Sequence, residues 1–307
     1  MISHVDDFIW AGTVNFQTII IEKVKSTFSI SAESSTAFKY LGIDLFQDER
    51  GIFVSLAKYT KELEEIKIEN DRKKDNSQPL TGAEKTELRS IIGKLNWLAR
   101  EARPDLSYSV SILASKLKNA TVQDITHVNK VIRQCKLTDI CLYFPKLDLK
   151  NLKIKCYSDA SFGKLHDGGS QGGMFLELCS NEVSCPIYWQ SKRIHRVVNN
   201  VMSAETLAMK DALDAGFLVK NLLEELLFSG RAQVQMEAIT DSNSLYESAH
   251  SIKSASDRRL RIDLSILREY VMNEECTVSW VPSENQLADV LTKDGVDGSK
   301  IRNQISL

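Results

Sequence analysis

The chain has 307 residues, of which 43% are hydrophobic and 26% charged, and its formal net charge is -2 at pH 7. This is ordinary globular usage, the length predicts about two domains, and the near-neutral charge argues against a generally basic surface. No apolar run is long and charge-free enough to span a bilayer, and the first residues lack the basic and apolar regions of a secretory signal, so we expect an intracellular, cytoplasmic protein.

The first predicted unit, residues 1–78, contains a hairpin, a helix and a strand pair. The sequence HVDD at 4–7 is a short polar turn with two adjacent acids, Asp6 and Asp7. Apolar spacing predicts a helix over 16–28 and strands over 38–56. The charged run 69–79 has no apolar periodicity, which predicts an exposed linker at the end of this unit.

The second predicted unit, residues 79–150, is helical. The sequence TGAE at 81–84 has the pattern of a capping box, and apolar residues follow it at helical spacing. Two more helices are predicted over 106–117 and 122–137. Trp97 and Tyr108 lie on these helices, and we assign them to packing because aromatic residues at helical spacing usually belong to the core.

The third predicted unit, residues 151–307, is an α/β domain in which acids stand where strands end or helices begin. Alternation predicts strands over 153–161 and 234–239, and a long helix is predicted to begin at Ser203. Four acids share this kind of position: Asp159, Glu205, Asp241 and Asp289. They could therefore converge on one edge of a sheet.

Four converging carboxylates point to divalent cations. Each would resist ionising beside the others, and bound cations remove that conflict. Oxygen ligands suit Mg²⁺ or Mn²⁺, and two such ions about 4 Å apart can activate a water and stabilise the leaving oxygen of a phosphodiester. The sequence has no zinc-ligand spacing or P-loop that would favour another chemistry.

Each acid also has an ordinary structural interpretation. Glu205 could complement a helix dipole and Asp241 could cap the following helix. Asp289 could be a solvated helix residue and Asp159 a turn former. Singly these interpretations are favoured, whereas the four positions together favour a metal site.

The third unit also contains a basic loop and a glycine-rich run, and cysteines are scattered along the chain. The basic loop predicted at 191–196 offers phosphate contacts from Lys192, Arg193 and Arg196, with a solvated charged face as the alternative. The glycine-rich run 168–173 predicts a flexible hairpin loop. Six cysteines without a CxxC pair favour buried thiols in a reducing compartment over a zinc site.

Several motifs together resemble the ribonuclease H domain of copia-type retrotransposon Pol polyproteins. They are YSDAS at 157–161, WQSK at 189–192, SAE at 203–205, TDS at 240–242 and LADVLTK at 287–293. Upstream, KYLGI at 39–43, GKLNWLA at 93–99 and RPDL at 103–106 resemble the late reverse transcriptase and connection segments of that family. The resemblance implies a ribonuclease H-like mixed sheet with flanking helices, preceded by a partial palm and thumb and a helical connection.

The same family gives the HVDD turn a second interpretation. It resembles the YVDD hairpin that supplies two of the three metal-binding acids of a reverse transcriptase. Asp6 and Asp7 would then be a vestigial polymerase site, because the third acid of such enzymes lies further upstream than Met1. We expect no polymerase activity from this chain alone.

The resemblance implies a ribonuclease H that cleaves the RNA strand of RNA/DNA hybrids by a two-metal mechanism. Asp159, Glu205, Asp241 and Asp289 would hold two Mg²⁺ ions, with Mn²⁺ as an alternative, and Asp159 would bridge them. The expected partners are the hybrid and the upstream polymerase portion, and virus-like particles become a candidate location. A catalytically silent nucleic-acid-binding remnant and a part of a longer RNA-directed DNA polymerase stay open as alternatives.

Overall fold

A computed structural model of the chain describes residues 1–30, 32–231, 234–251 and 257–306. The strands are β1 (Ile2–His4), β2 (Asp7–Ile9), β3 (Ala37–Tyr40), β4 (Ile43–Gln47), β5 (Gly51–Ser55), β6 (Cys141–Pro145), β7 (Leu152–Ser161), β8 (Ser170–Ser180), β9 (Val183–Ile194), β10 (Gln235–Thr240) and β11 (Thr277–Trp280). The α-helices are α1 (Val14–Phe16), α2 (Glu22–Thr27), α3 (Ala57–Glu62), α4 (Gly82–Glu101), α5 (Ser107–Lys116), α6 (Val122–Leu137), α7 (Val201–Phe228), α8 (Asn243–His250), α9 (Arg258–Met272) and α10 (Ser299–Ile305). A π-helical segment (Gln17–Ile21) joins α1 to α2, and the 3₁₀ helices include Ser283–Asn285 and Leu287–Leu291.

A five-stranded mixed sheet is the centre of the third unit. Its strand order is β11-β10-β7-β8-β9, in which β7, β8 and β9 form an antiparallel meander and β10 and β11 run parallel to β7. Polar and apolar residues alternate along β7, so that Leu152, Ile154 and Cys156 are buried in the core beneath α7. The α/β fold predicted for this unit, a mixed sheet with flanking helices, is confirmed.

A second sheet connects the first part of the chain with the segment just before β7. Its order is β3-β4-β5-β6, and every neighbouring pair is antiparallel. Because β6 follows the helices α4 to α6, this sheet joins residues that the sequence assigns to two different units. The division into units at 1–78, 79–150 and 151–307 stays a prediction.

Helices α4 and α6 begin where the sequence provides caps. Thr81 and Glu84 form the predicted capping box of α4, and Thr121 and Asp124 form a second one at α6. The first box satisfies two helix N–H groups that would otherwise lack acceptors. Trp97 packs against the helical core and contacts Tyr59 edge to face, with ring centroids 4.5 Å apart.

Two hydrophobic cores lie on opposite faces of the mixed sheet. One contains α7, α8 and α9 residues packed on Leu152, Ile154 and Cys156. The other joins the helices α4 to α6 to Phe175 of β8 and to the buried residues Val290, Leu291, Ile301 and Ile305 near the C-terminus. The helical segment thus covers one face of the sheet, and α7 covers the other.

Two predicted loops are wrong in part, because they pair with each other as strands. Within the glycine-rich run, residues 170–173 belong to β8, and within the basic run, residues 191–194 belong to β9. Gly172 lies opposite Lys192 and Gly173 opposite Ser191. Gly173 is required there because a Cβ would lie 2.7 Å from the side chains of Leu291 and Thr292.

The described residues include no helix with both the length and the apolar character needed to cross a bilayer.

Candidate metal centre

Asp159 lies near the end of the central strand, β7, and is almost completely buried. It pairs across the sheet with Gly173 of β8. The absence of a side chain at Gly173 lets the 3₁₀ helix Leu287–Leu291 and the residue after it approach the sheet closely. This approach is what brings the last of the predicted acids to Asp159.

Asp241 follows β10, the strand parallel to β7 and next to it. The neighbouring Ser242, and not the acid itself, caps α8 through its side chain. The backbone carbonyl of Asp241 accepts a 2.9 Å hydrogen bond from the indole of Trp280, and its carboxylate accepts one of 2.6 Å from Ser283. Asp241 is therefore held by β11 and the turn after it while its side chain stays partly exposed.

Asp289 lies on the 3₁₀ helix Leu287–Leu291. Gln286 caps this helix by accepting from the backbone N–H of Ala288, and it is itself fully buried. Its side-chain amide donates a 3.0 Å hydrogen bond to the backbone carbonyl of Ser158, next to Asp159. Gln286 thereby fixes the distance between the helix and the end of β7.

The structure brings three of the four predicted acids into one group. Carboxylate oxygens of Asp159, Asp241 and Asp289 lie within 4.8 Å of one another. Such a spacing suits oxygen ligands around a shared hard cation. The sequence predicted this convergence from three separate stretches of chain.

The fourth acid, Glu205, borders the group without being part of it. The long helix starts at Val201, two residues before the predicted start, and is capped by Asn200, so Glu205 is its fifth residue and lies just beyond the first turn. Its side chain is buried, and one of its oxygens, Oε2, has no hydrogen-bond partner. A buried carboxylate oxygen without a partner is costly, which favours a ligand that completes it.

Burial and mutual repulsion make these acids reluctant to ionise. Burial, followed by the charges of Asp159 and Asp241, raises the pKa of Glu205 to about 9. Burial also raises the pKa of Asp159, although Lys293 and Thr292 oppose that effect. A divalent cation at this centre would favour the ionised forms and lower both pKa values.

Two residues shortly after Asp289, Thr292 and Lys293, contact the acids of the centre, and sequence reasoning missed this role. The ammonium of Lys293 lies 2.6 Å from Asp289 Oδ1 and 3.4 Å from Asp159 Oδ1. The hydroxyl of Thr292 donates to Asp159 Oδ2. Both residues end the LADVLTK motif, so the motif itself was the available signal.

The three basic residues predicted to bind nucleic acid lie near the same end of the sheet, on or just after β9. Each of them is paired with an acid. Lys192 pairs with Asp211 at 3.1 Å, Arg193 with Asp167 at 2.6 Å, and Arg196 with Asp263 at 2.6 Å. Their role as phosphate contacts stays a prediction.

Asp6 lies in the turn between β1 and β2, Asp7 is the first residue of β2, and both are exposed. The six cysteines are all free, and five of them are buried.

The mixed sheet with flanking helices is the α/β architecture that the motifs predict, and three of the four predicted acids meet at its edge. Solved ribonuclease H structures are similar to about half of the chain, with low TM-scores. The RNase H1 of Halobacterium salinarum is 21% identical with a TM-score of 0.34, covering 46% of this chain and 94% of that one. LC11-RNase H1 in complex with an RNA/DNA hybrid is 17% identical with a TM-score of 0.36, covering 48% and 98%.

Curated relatives extend the similarity to almost the whole chain. The retrovirus-related Pol polyprotein from transposon RE1 of Arabidopsis thaliana is 26% identical over 311 residues, which are 95% of this chain and 20% of the relative. That from transposon TNT 1-94 of Nicotiana tabacum is 25% identical over 95% of this chain and 23% of the relative. A putative transposon Ty5-1 protein of Saccharomyces cerevisiae is 30% identical over 52% of this chain and 54% of that protein.

The predicted resemblance to retrotransposon Pol polyproteins is therefore confirmed. The chain spans about a fifth of the length of the first two of these relatives. No protein-family model matches it.

Proposed function

We propose that this chain is a ribonuclease H that cleaves the RNA strand of RNA/DNA hybrids with two divalent cations, Mg²⁺ or Mn²⁺. The observation that carries the proposal is the group formed by Asp159, Asp241 and Asp289, whose carboxylate oxygens lie within 4.8 Å of one another. Glu205 supports it independently, because its buried Oε2 has no partner.

The donor set fits the proposed cations. It consists of carboxylates alone, and hard oxygen ligands suit Mg²⁺ and Mn²⁺ better than softer metals. Asp159 would bridge the two ions, with Glu205, Asp241 and Asp289 as the remaining ligands. Bound there, such ions would lower the pKa of a water so that it can act as the nucleophile. They would also stabilise the negative charge on the leaving oxygen.

The chain's own residues would position these ligands and the substrate. Gln286 holds the helix of Asp289 against β7, and Ser283 orients the carboxylate of Asp241. Lys192, Arg193 and Arg196 would exchange their present carboxylate partners for substrate phosphates, which fix register without reading sequence. RNA would be distinguished by its 2′-hydroxyls and by the shape of the hybrid.

A cleavage assay with a labelled RNA/DNA hybrid tests the proposal. The wild-type chain with Mg²⁺ should cut the RNA strand of the hybrid, leave the same RNA uncut when single-stranded, and lose activity in excess EDTA. Asp159→Asn should reduce cleavage by roughly 10³-fold, the order expected when a residue acting directly in the chemistry is removed. Binding of the hybrid, measured by fluorescence anisotropy, should be largely retained.

Asp71→Asn is the matched control, since Asp71 is 89% exposed and pairs with Lys74 on the surface. It should cleave like the wild type. Absence of cleavage by the wild type would leave a nucleic-acid-binding remnant as the better description. Equal cleavage by Asp159→Asn would refute the assignment of the site.

A further inference from the structure

The acidic centre contains a positive charge supplied by the chain itself, the ammonium of Lys293. Lys293 Nζ lies 2.6 Å from Asp289 Oδ1 and 3.4 Å from Asp159 Oδ1, so it bridges two of the proposed metal ligands. The same two carboxylates contribute to the group whose oxygens lie within 4.8 Å. The ammonium therefore competes for oxygens that a divalent cation would use.

The backbone holds Lys293 close to this position. Its N–H donates a 3.1 Å hydrogen bond to the carbonyl of Asp289, four residues earlier. The preceding residue, Thr292, is fully buried and donates its hydroxyl to the other oxygen of Asp159. Both oxygens of Asp159 are thus engaged by consecutive residues of one short segment.

The lysine side chain nevertheless has a route out of the centre. It is 39% exposed, whereas the side chain of Asp159 is only 2% exposed. A lysine side chain is a flexible stem of four methylene groups that ends in a strongly hydrated ammonium. The ammonium can therefore move into solvent while the backbone stays in place. Displacement of the ammonium would break its contacts with Asp159 and Asp289 and would require no change in the backbone fold.

Among the described residues, Lys293 forms direct ion pairs with Asp159 and Asp289, and neither Glu205 nor Asp241 has an ion pair of this kind. The charge of Lys293 reaches Glu205 and Asp241 without such a contact, and Glu205 Oε2 is buried without a partner. The side of Asp159 that faces Glu205 and Asp241 is therefore less fully compensated than the side facing Asp289. The two sides should bind cations with different affinities.

We propose that Lys293 is an internal competitor that makes cation binding sequential. The first divalent cation binds on the side of Asp159, Glu205 and Asp241, and the second binds between Asp159 and Asp289 only when the Lys293 ammonium leaves. This inference rests on the metal site of the proposed function. It adds that the chain itself weakens the second binding step.

Manganese titration of the full chain measures the two steps directly. MnCl₂ binding to chelator-stripped protein is followed by calorimetry, and free Mn²⁺ is counted by electron paramagnetic resonance. The wild type should bind one ion more tightly than the other. Lys293→Met, which keeps the length and removes the charge, should tighten the weaker step by roughly tenfold, a usual size for coupling between neighbouring sites.

Thermal unfolding supplies a second readout that is independent of activity. Without metal, Lys293→Met should have a lower midpoint than the wild type, because Asp159 and Asp289 lose their counter-charge. Saturating Mn²⁺ should raise its midpoint by more than it raises that of the wild type, since tighter binding to the folded state stabilises it further. Lys293→Gln is a second neutral variant for the case that the methionine variant does not fold.

Two controls separate this effect from a general loss of charge. Lys293→Arg keeps the charge and should bind Mn²⁺ in two unequal steps, as the wild type does. Lys74→Met removes a lysine that pairs with Asp71 at 2.7 Å on the surface, and it should change neither step.

Unchanged Mn²⁺ constants in both neutral variants would overturn the inference and leave the proposed nuclease untouched. Two ions bound with equal affinity by the wild type would also overturn it. Sequential binding that depends on Lys293, in a chain that cuts no hybrid, would support the inference while the proposed function failed.

Discussion

At the scale of single residues, the acidic centre combines side chains that resist ionisation with one that compensates them. Burial and neighbouring charge raise the pKa of Glu205, and burial raises that of Asp159. Lys293 offsets part of this cost, and the charge of Asp159 together with the hydrogen bond to Asp289 raises the pKa of the lysine despite its own burial. In the metal-free centre, the negative charge of the acids is therefore reduced by bound protons and offset by the ammonium of Lys293.

The raised pKa of Glu205 predicts how the stability of the metal-free protein depends on pH. The pKa is about 9 in the folded chain, against an ordinary value of 4.5. Between these values the folded state binds more protons than the unfolded state, so the free energy of unfolding falls as the pH rises. Thermal midpoints measured in EDTA should decrease from pH 5.5 to pH 8.5.

Glu205→Gln should weaken this dependence, because the amide does not titrate, while Asp159 keeps part of it. Saturating Mg²⁺ should also weaken it in the wild type by holding the acids ionised. An identical pH dependence in the wild type and in Glu205→Gln would contradict the assignment of the effect to Glu205.

The sequence could predict the identity of the acids but not all of their contacts. Asp159, Asp241 and Asp289 stand at strand ends and in motifs, which is a local signal. The pairing of Lys293 with Asp159 joins residues 134 positions apart, so no local pattern could reveal it. The partnerless oxygen of Glu205 likewise depends on the packing around it.

At the scale of elements, close contact between β8 and the 3₁₀ helix Leu287–Leu291 sets the geometry of the centre. Ser191 of β9 supports the same contact by donating a 2.5 Å hydrogen bond to the carbonyl of Leu291, and Gln171 of β8 donates to Ser191 at 2.9 Å. The run 168–173 was predicted as a loop because glycines usually mark one. Here Gly173 serves the close approach of another segment, which sequence alone cannot distinguish.

Gly173→Ala should destabilise the protein and disturb the centre. The added Cβ would lie 2.7 Å from Leu291 and Thr292 side-chain atoms and 3.2 Å from the Ala288 carbonyl. Overpacking of this kind costs about 1–3 kcal/mol, and Mn²⁺ affinity should fall because the helix of Asp289 must move. Denaturant unfolding and Mn²⁺ titration measure the two effects.

Gly93→Ala is the matched control. Gly93 lies inside α4, and a Cβ there meets nothing within 4 Å. It should raise the free energy of unfolding by about 0.5–1 kcal/mol, because alanine is the better helix former. If both variants behaved alike, close packing at Gly173 would not be the reason for its glycine.

At the scale of the whole molecule, the helical segment and the mixed sheet share a core. The indole of Trp189 on β9 donates a 2.7 Å hydrogen bond to the carbonyl of Ala99 on α4. Gln171 on β8 donates to Ser111 on α5 at 3.0 Å. Arg302 on α10 lies 3.6 Å from Asp105, which also pairs with the buried Arg103.

This shared core predicts that α4 to α6 and the mixed sheet unfold together. Trp189→Phe removes the donor to Ala99 and should cost about 1–3 kcal/mol, the usual penalty for a buried group left without its partner. Hydrogen exchange should then lose protection to a similar extent in α4 to α6 and in β7 to β9. Trp280→Phe, which removes a hydrogen bond from a side chain that is 45% exposed, should have a smaller effect. Loss of protection confined to the sheet would contradict a shared core.

The alternation along β7 makes the acidic centre intolerant of small changes in chain length. Ser158 and Asp159 are neighbours that point to opposite faces, and Asp159 pairs with Gly173 across the sheet. Deleting one residue from β7 ahead of Asp159 would turn the aspartate away from Asp241 and Asp289 while leaving most of the strand able to pair. In a mutationally eroded copy of this gene, an in-frame triplet loss there would erase the chemistry long before it erased the fold.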